Sequence, residues 1–217
     1  LDEAVSIPGM WISGPAGSGK TSLVESYLKA STSKYVWYRI NPTDNEALSF
    51  FQQIQKCAEK AIGPENAPST LDELGESVGT VAFSRQYFAE LYSQFPKPLI
   101  LIFDNVDKAE PDAELFAALS GAMDAATDRT SLFFLSRWEP PKRFARYYAS
   151  NQLALLGWND LRFTPDETED FIEWIHPAQT TRIDVDAIHS TTGGWAVGIQ
   201  ILANASPIDP KRSSEPD

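Results

Sequence analysis

Apolar and polar positions along the chain fall into two periods. Short apolar or aromatic runs occur at 9–12 (GMWI), 34–40 (KYVWYRI), 98–109 (PLILIFDNVDKA), 131–137 (SLFFLSR) and 151–158 (NQLALLGW). Runs this short, closed by turn residues such as Asn41-Pro42, predict strands. The uninterrupted apolar character of the last three predicts central strands of a parallel sheet, covered on both faces, and 34–40 also reads as a buried strand. Between the runs the period changes to that of a helix. Leu23, Tyr27 and Leu28 recur within TSLVESYLKA, and Ala47, Phe50, Phe51, Ile54, Cys57, Ala58 and Ala61 form one stripe. Phe83, Tyr87, Phe88 and Leu91 form another, a further helix is expected near 112–126, and the acidic stretch 63–80 reads as a loop. Strands alternating with helices predict an α/β fold with a mostly parallel central sheet flanked by helices. A ligand would then lie at the carboxyl ends of the strands.

From Asn159 onward the pattern is helical only. TPDE (164–167) offers Thr164 as a cap, Pro165 in the first turn and Glu167 three residues after the cap, followed by Phe171, Ile172, Trp174 and Ile175. A second helical segment near 184–189 leads into TTGGWAVGIQILANA. The expected organisation is a nucleotide-binding domain over 1–158, a small helical lid over 159–205 and a linker or tail over 206–217. Because the chain opens on Leu1 and closes on the Pro- and Ser-rich SPIDPKRSSEPD, it is expected to be a domain of a longer protein. His176 and His189 show no ligand spacing with each other or with Cys57, and both read as ordinary lid residues.

Charge narrows the partners. Thirty acids against 18 bases give a net charge of −12, which argues against nucleic-acid binding by this fragment and against attachment to an anionic membrane. Cys57 is the one cysteine of the 217 residues, so an internal disulfide is excluded. It is expected to be a small buried hydrophobe, its thiol not activated by a base. No apolar run approaches 18 residues and no signal peptide opens the chain, which makes a cytoplasmic location the expectation.

The candidate chemistry begins with GPAGSGKTS at 14–22, which matches G-x-x-x-x-G-K-[ST] behind an apolar strand and ahead of a helix. Backbone N–H groups must converge on phosphate oxygens in such a loop, and side chains would obstruct that approach. Gly14, Pro15, Ala16, Gly17, Ser18, Gly19, Lys20, Thr21 and Ser22 are therefore candidates for holding ATP or ADP. Lys20 would reach the β/γ-phosphates, and the Thr21 hydroxyl would serve Mg²⁺. Asp104 closes an apolar strand, where a carboxylate could hold a metal-bound water beside Thr21. Asn105 stands where many hydrolytic relatives carry a second acid, which predicts slow turnover; Asp107 is either a water-orienting base or a turn-stabilising residue. Ser136-Arg137 would sit on the same sheet edge, placing a guanidinium where it could sense the γ-phosphate. LSGAM at 119–123 follows Asp104 rather than preceding it and reads as a helix end.

Taken in order, GPAGSGKTSL, VWYRINPTDNEALSFF, LILIFDNVD, FFLSR, LRFTPDETEDFI and TGGWAVGIQILA resemble the nucleotide-binding module of STAND-class signal-transduction ATPases. The branch they resemble contains the maltose-regulon activator and the large ATP-binding LuxR-type regulators. The likeness spans roughly residues 7 to 205. It implies an ATPase core with a helical lid, followed elsewhere in the parent chain by winged-helix, repeat-sensor and effector domains. It also implies nucleotide-dependent self-association of the full-length protein. Phosphate binding would fall to Lys20 and Thr21, Mg²⁺ to Asp104 and γ-phosphate sensing to Arg137, with Gly194-Trp195 near the base. Related proteins carry a Gly-x-Pro element there; this chain has no such proline. The function implied is a regulatory switch with slow ATP hydrolysis, against the alternatives of an AAA+-like motor or loader and a small-molecule phosphotransferase.

Overall fold

The computed structural model describes residues 7–64, 67–68, 79–95, 98–110, 112–177 and 183–205. Most of the loop expected at 63–80 and all of the tail expected at 206–217 lie outside them. The chain forms two compact units. One comprises Leu1–Gly14 and Lys20–Gly157, the other Pro15–Gly19 and Trp158–Asp217.

In the first unit the strands are β1 (Gly9–Ser13), β2 (Lys34–Arg39), β3 (Leu99–Asp104), β4 (Thr130–Ser136) and β5 (Leu153–Leu156). They form a sheet in the order β2-β3-β4-β1-β5, and each described pairing is parallel. The helices between them are α1 (Lys20–Ala30), α2 (Ala47–Ile62), α3 (Thr80–Ser93), α4 (Glu114–Asp124) and the short α5 (Ala145–Ala149). Every residue of β1 and β3 is buried, as their continuous apolar runs require. Successive side chains point to opposite faces. Trp11, Leu101, Phe103, Leu132 and Phe134 join the aromatic faces of α2 and α3 in one core with α4, while on the other face Tyr27 of α1 meets Phe133 edge-on at 5.7 Å. Phe103, Phe134 and Trp11 stack in series with ring centroids 5.4 Å apart. LSGAM forms the last turns of α4, which α3 approaches closely enough for the Ser84 hydroxyl to donate to the Ala118 carbonyl.

Three sequence expectations need correction. The runs at β2 and β5 lie at the two edges of the sheet, so β2 alternates in burial, with Tyr35 52% exposed, and β5 leaves Leu155 38% exposed. Ala61 falls on the exposed side of α2, and Cys57 is half-buried rather than buried. Burial pushes the Cys57 thiol pKa up, although Lys60, one turn on, acts against it; a base does reach this thiol, but burial dominates. The sequence pattern also missed a 3-10 turn over Lys142–Phe144 leading into α5, whose Phe144 and Tyr147 are buried in the main core.

The second unit contains α6 (Trp158–Leu161), α7 (Pro165–Ile175), α8 (Val185–Thr192) and α9 (Ala196–Ala205). The Thr164 hydroxyl accepts the Glu167 N–H at 3.2 Å and the Glu167 carboxylate accepts the Thr164 N–H at 2.8 Å, so α7 starts with a reciprocal capping box. Asp184 caps α8 in one direction only, its carboxylate accepting the Ala187 N–H at 3.0 Å. Ile172, Ile188, Ile199 and Ala203 form a small core. His189 Nδ1 bonds the Thr168 hydroxyl at 2.8 Å and His176 Nε2 bonds Asn204 at 3.0 Å, both within this unit.

Candidate functional site

The loop at 14–22 joins β1 to α1, and its ends and its middle belong to different units. At the ends, the Gly14 N–H donates to the Ser136 carbonyl at 3.2 Å, and the Lys20 ammonium donates to the Gly14 carbonyl at 2.7 Å. Burial lowers the Lys20 pKa; Asp107 opposes this, Arg137 adds to it and Asp104 opposes it again. Those four charged groups therefore share one electrostatic neighbourhood at the carboxyl edge of the sheet. Thr21 lies in the first turn of α1, half-buried, and Ser22 is exposed beside it.

In the middle, Gly17 and Gly19 have φ of 73° and 87°, a left-handed conformation that other residues rarely adopt. A Cβ on Gly19 would meet nothing within 4 Å, whereas one on Gly17 would lie 2.5 Å from Val197 Cγ2. The loop backbone is gripped there: the Trp195 indole N–H donates to the Ala16 carbonyl at 2.9 Å and the Val197 N–H to the Gly17 carbonyl at 3.3 Å. The Ser18 N–H closes a turn onto the Pro15 carbonyl, and Ser18 itself is buried. Both contacts from 195–197 use carbonyls, and an anion cradle uses N–H groups, so this grip does not compete with phosphate. Trp195, expected near a base, thus makes its polar contact with the loop backbone.

Asp104 ends β3 with its side chain 6% exposed. One carboxylate oxygen accepts the Asn105 N–H at 2.9 Å; the other lies 3.3 Å from Arg39 Nε. Asn105 adopts a left-handed conformation, φ 61° and ψ 38°, at the head of a 3-10 turn over Val106–Lys108. Asparagine is among the few non-glycine residues that tolerate it, which accounts locally for this residue type. The turn brings Asp107 back against the end of β4. Its carboxylate, 7% exposed, accepts the Arg137 N–H at 3.1 Å and lies 3.3 Å from Arg137 Nε. Both alternatives for Asp107 place it here; the bonds made are those of a turn clasp.

Arg39 was missed by the sequence reading. It stands in register with Asp104 across the β2–β3 pairing, a relation visible only once the strand order is known. The turn that follows it is held by Asp44, which accepts the Tyr38 hydroxyl at 2.6 Å and the Asn41 N–H at 2.8 Å. Among the described residues no group of three or more His, Cys, Asp or Glu side chains is arranged to hold a metal ion. The oxygen donors that a hard divalent cation would take are the Thr21 hydroxyl and the Asp104 carboxylate, in keeping with the preference of Mg²⁺ for few protein ligands. The donor types, the glycine-built loop and the nearby Lys20 fit a Mg²⁺-nucleotide.

Residues 2–135 match the family described as the AAA ATPase domain. The chain is 27% identical over 196 residues to the HTH-type transcriptional regulator MalT of Yersinia enterocolitica, covering 90% of this chain. It is 28% identical over 206 residues to MalT of Cronobacter sakazakii, covering 88% of this chain. In each case it spans only 21% of the relative's length. Among solved structures it is similar to a STAND protein with a tetratricopeptide repeat sensor from Pyrococcus horikoshii, with a TM-score of 0.64 and 13% identity over 94% of this chain and 28% of that one. That likeness carries the fold alone, a parallel sheet flanked by helices. No helix among the described residues is long and apolar enough to cross a membrane.

Proposed function

Because the chain belongs to the AAA ATPase domain family, we propose that it is an ATP- and ADP-binding regulatory switch with slow Mg²⁺-dependent hydrolysis, one module of a larger cytoplasmic signal-transduction or transcription-regulatory protein. The observation that carries this reading is the division of the phosphate loop. Residues 15–19 pack with the helices after Trp158 through Trp195 and Val197, while Gly14 and Lys20 are fixed to the sheet. A ligand that reorders residues 15–19 would act on their contacts with Trp195 and Val197, and a switch needs such differential contact between its states.

In this reading backbone N–H groups between Ala16 and Ser22 would hold the phosphates and Lys20 would leave the Gly14 carbonyl to neutralise them. Thr21 and Asp104 would hold Mg²⁺, which would supply charge neutralisation to the phosphates. Arg137 senses the γ-phosphate. Slow turnover is supported by Asn105, whose amide is no base, and by Asp107, whose carboxylate is engaged by the Arg137 N–H and Nε. The flanking parts of the parent chain, including its sensor and effector domains, are the partners this module would control, with self-association of the whole protein as the output.

Lys20→Ala tests the site itself. The substitution deletes the cation at the end of the loop, so most ADP and ATP affinity by calorimetry should vanish. Undiminished binding in a variant with an unchanged circular dichroism spectrum would refute the phosphate site.

A further inference from the structure

The carboxyl edge of the sheet holds a cation that the loop motif does not account for. Arg39 ends β2 directly beside Asp104 on β3, with its Nε 3.3 Å from one carboxylate oxygen. The other oxygen is committed to the Asn105 N–H. The two partners differ in freedom: the Arg39 side chain is 64% exposed and that of Asp104 only 6%. The acid is fixed and the base is mobile.

Resting on the Mg²⁺-nucleotide reading above, we propose that Arg39 is a positioning residue that occupies the Asp104 carboxylate in place of the divalent cation and so sets the Mg²⁺ concentration the site requires. Arg39 and a divalent ion are both cations drawn to one nearly buried carboxylate, where salt screens their mutual repulsion less than at an open surface. Arg39 must therefore swing away, or yield its place, as the metal-bound water arrives. Because an ion pair with one exposed, long side chain is weak, it opens at modest cost. The same pairing keeps the Asp104 charge compensated between nucleotide-binding events.

The test uses the full chain with Mn²⁺ as the probe, its binding followed by loss of the free-ion paramagnetic signal in the presence of ADP. Arg39→Gln should lower the Mn²⁺ concentration at half-saturation about two- to fivefold, the range expected for releasing a largely exposed pair. Arg39→Lys should stay close to the wild type, and Arg39→Gln should have no further effect once Asp104→Asn is present. ADP affinity in chelator, where no metal competes, is the companion readout and should not change. An unchanged or raised Mn²⁺ requirement in Arg39→Gln would overturn the proposal. So would a fall in metal-free ADP affinity, which would put Arg39 on the phosphates instead. If the wild-type chain bound no ADP under either condition, the nucleotide-site reading itself would fall; ADP binding with an unmoved Mn²⁺ requirement removes only the role of Arg39.

Discussion

The two units of this chain differ in how they are held together. The sheet unit buries a stacked aromatic series of Phe103, Phe134 and Trp11 under α2, α3 and α4. The helical unit rests on Ile172, Ile188, Ile199 and Ala203, with partly buried neighbours such as Phe163 and Phe171. Small cores leave little margin over chain entropy, and regions of low local stability are those recruited for switching. The middle of the glycine-rich loop, Pro15–Gly19, belongs to the less deeply built unit.

The largest effects should separate the two cores. Phe134→Ala, at 0% exposure between Trp11 and Phe103, should cost about 3–5 kcal/mol in denaturant unfolding of the whole chain. Ile199→Ala, also fully buried, should cost about 2–5 kcal/mol, seen first as lost hydrogen-exchange protection across 185–205 while the sheet keeps its own. Equal loss of protection in both units after Ile199→Ala would show one cooperative core and end the comparison.

Arg137→Ala is next in size. If Arg137 meets the γ-phosphate alone, ATP affinity should fall by about 1.5–3 kcal/mol and ADP affinity should hold, measured by calorimetry. Equal loss for both nucleotides would mean that its bonds to Asp107 shape the loop after β4 rather than read the phosphate. The smallest effect should come from Trp195→Phe, which keeps an aromatic ring but removes the bond to the Ala16 carbonyl. A loss of about 0.5–1.5 kcal/mol, the scale of one hydrogen bond, should appear as faster exchange in the helical unit with the sheet unaltered. No change in exchange would show that the indole N–H contributes nothing to the grip on the loop.

What could be read from the sequence follows the range of the forces involved. The glycine-rich turn between β1 and α1, the strand leading to Asp104 and the Thr164 capping box are set by neighbours a few residues apart, so local spacing is enough to find them. Which strands become edges is not a local property: KYVWYR has the residues of a buried strand, and only the order β2-β3-β4-β1-β5 exposes Tyr35. The Arg39–Asp104 pair is 65 residues apart in sequence and is created by parallel register. The Trp195–Ala16 bond spans 179 residues. Phe144 and Tyr147 were missed because a turn after Pro140-Pro141 carries too short a helix to show a period.

The central claim is that nucleotide state is passed from the phosphate loop to the helical unit. Hydrogen exchange at 194–199, compared between the ADP complex and a complex with a non-hydrolysable ATP analogue, tests it most directly, because this segment supplies both contacts to the loop backbone. The account predicts different protection in the two complexes, with the core strands β3 and β4 unchanged. Identical protection at 194–199, with both nucleotides bound to saturation, would contradict it.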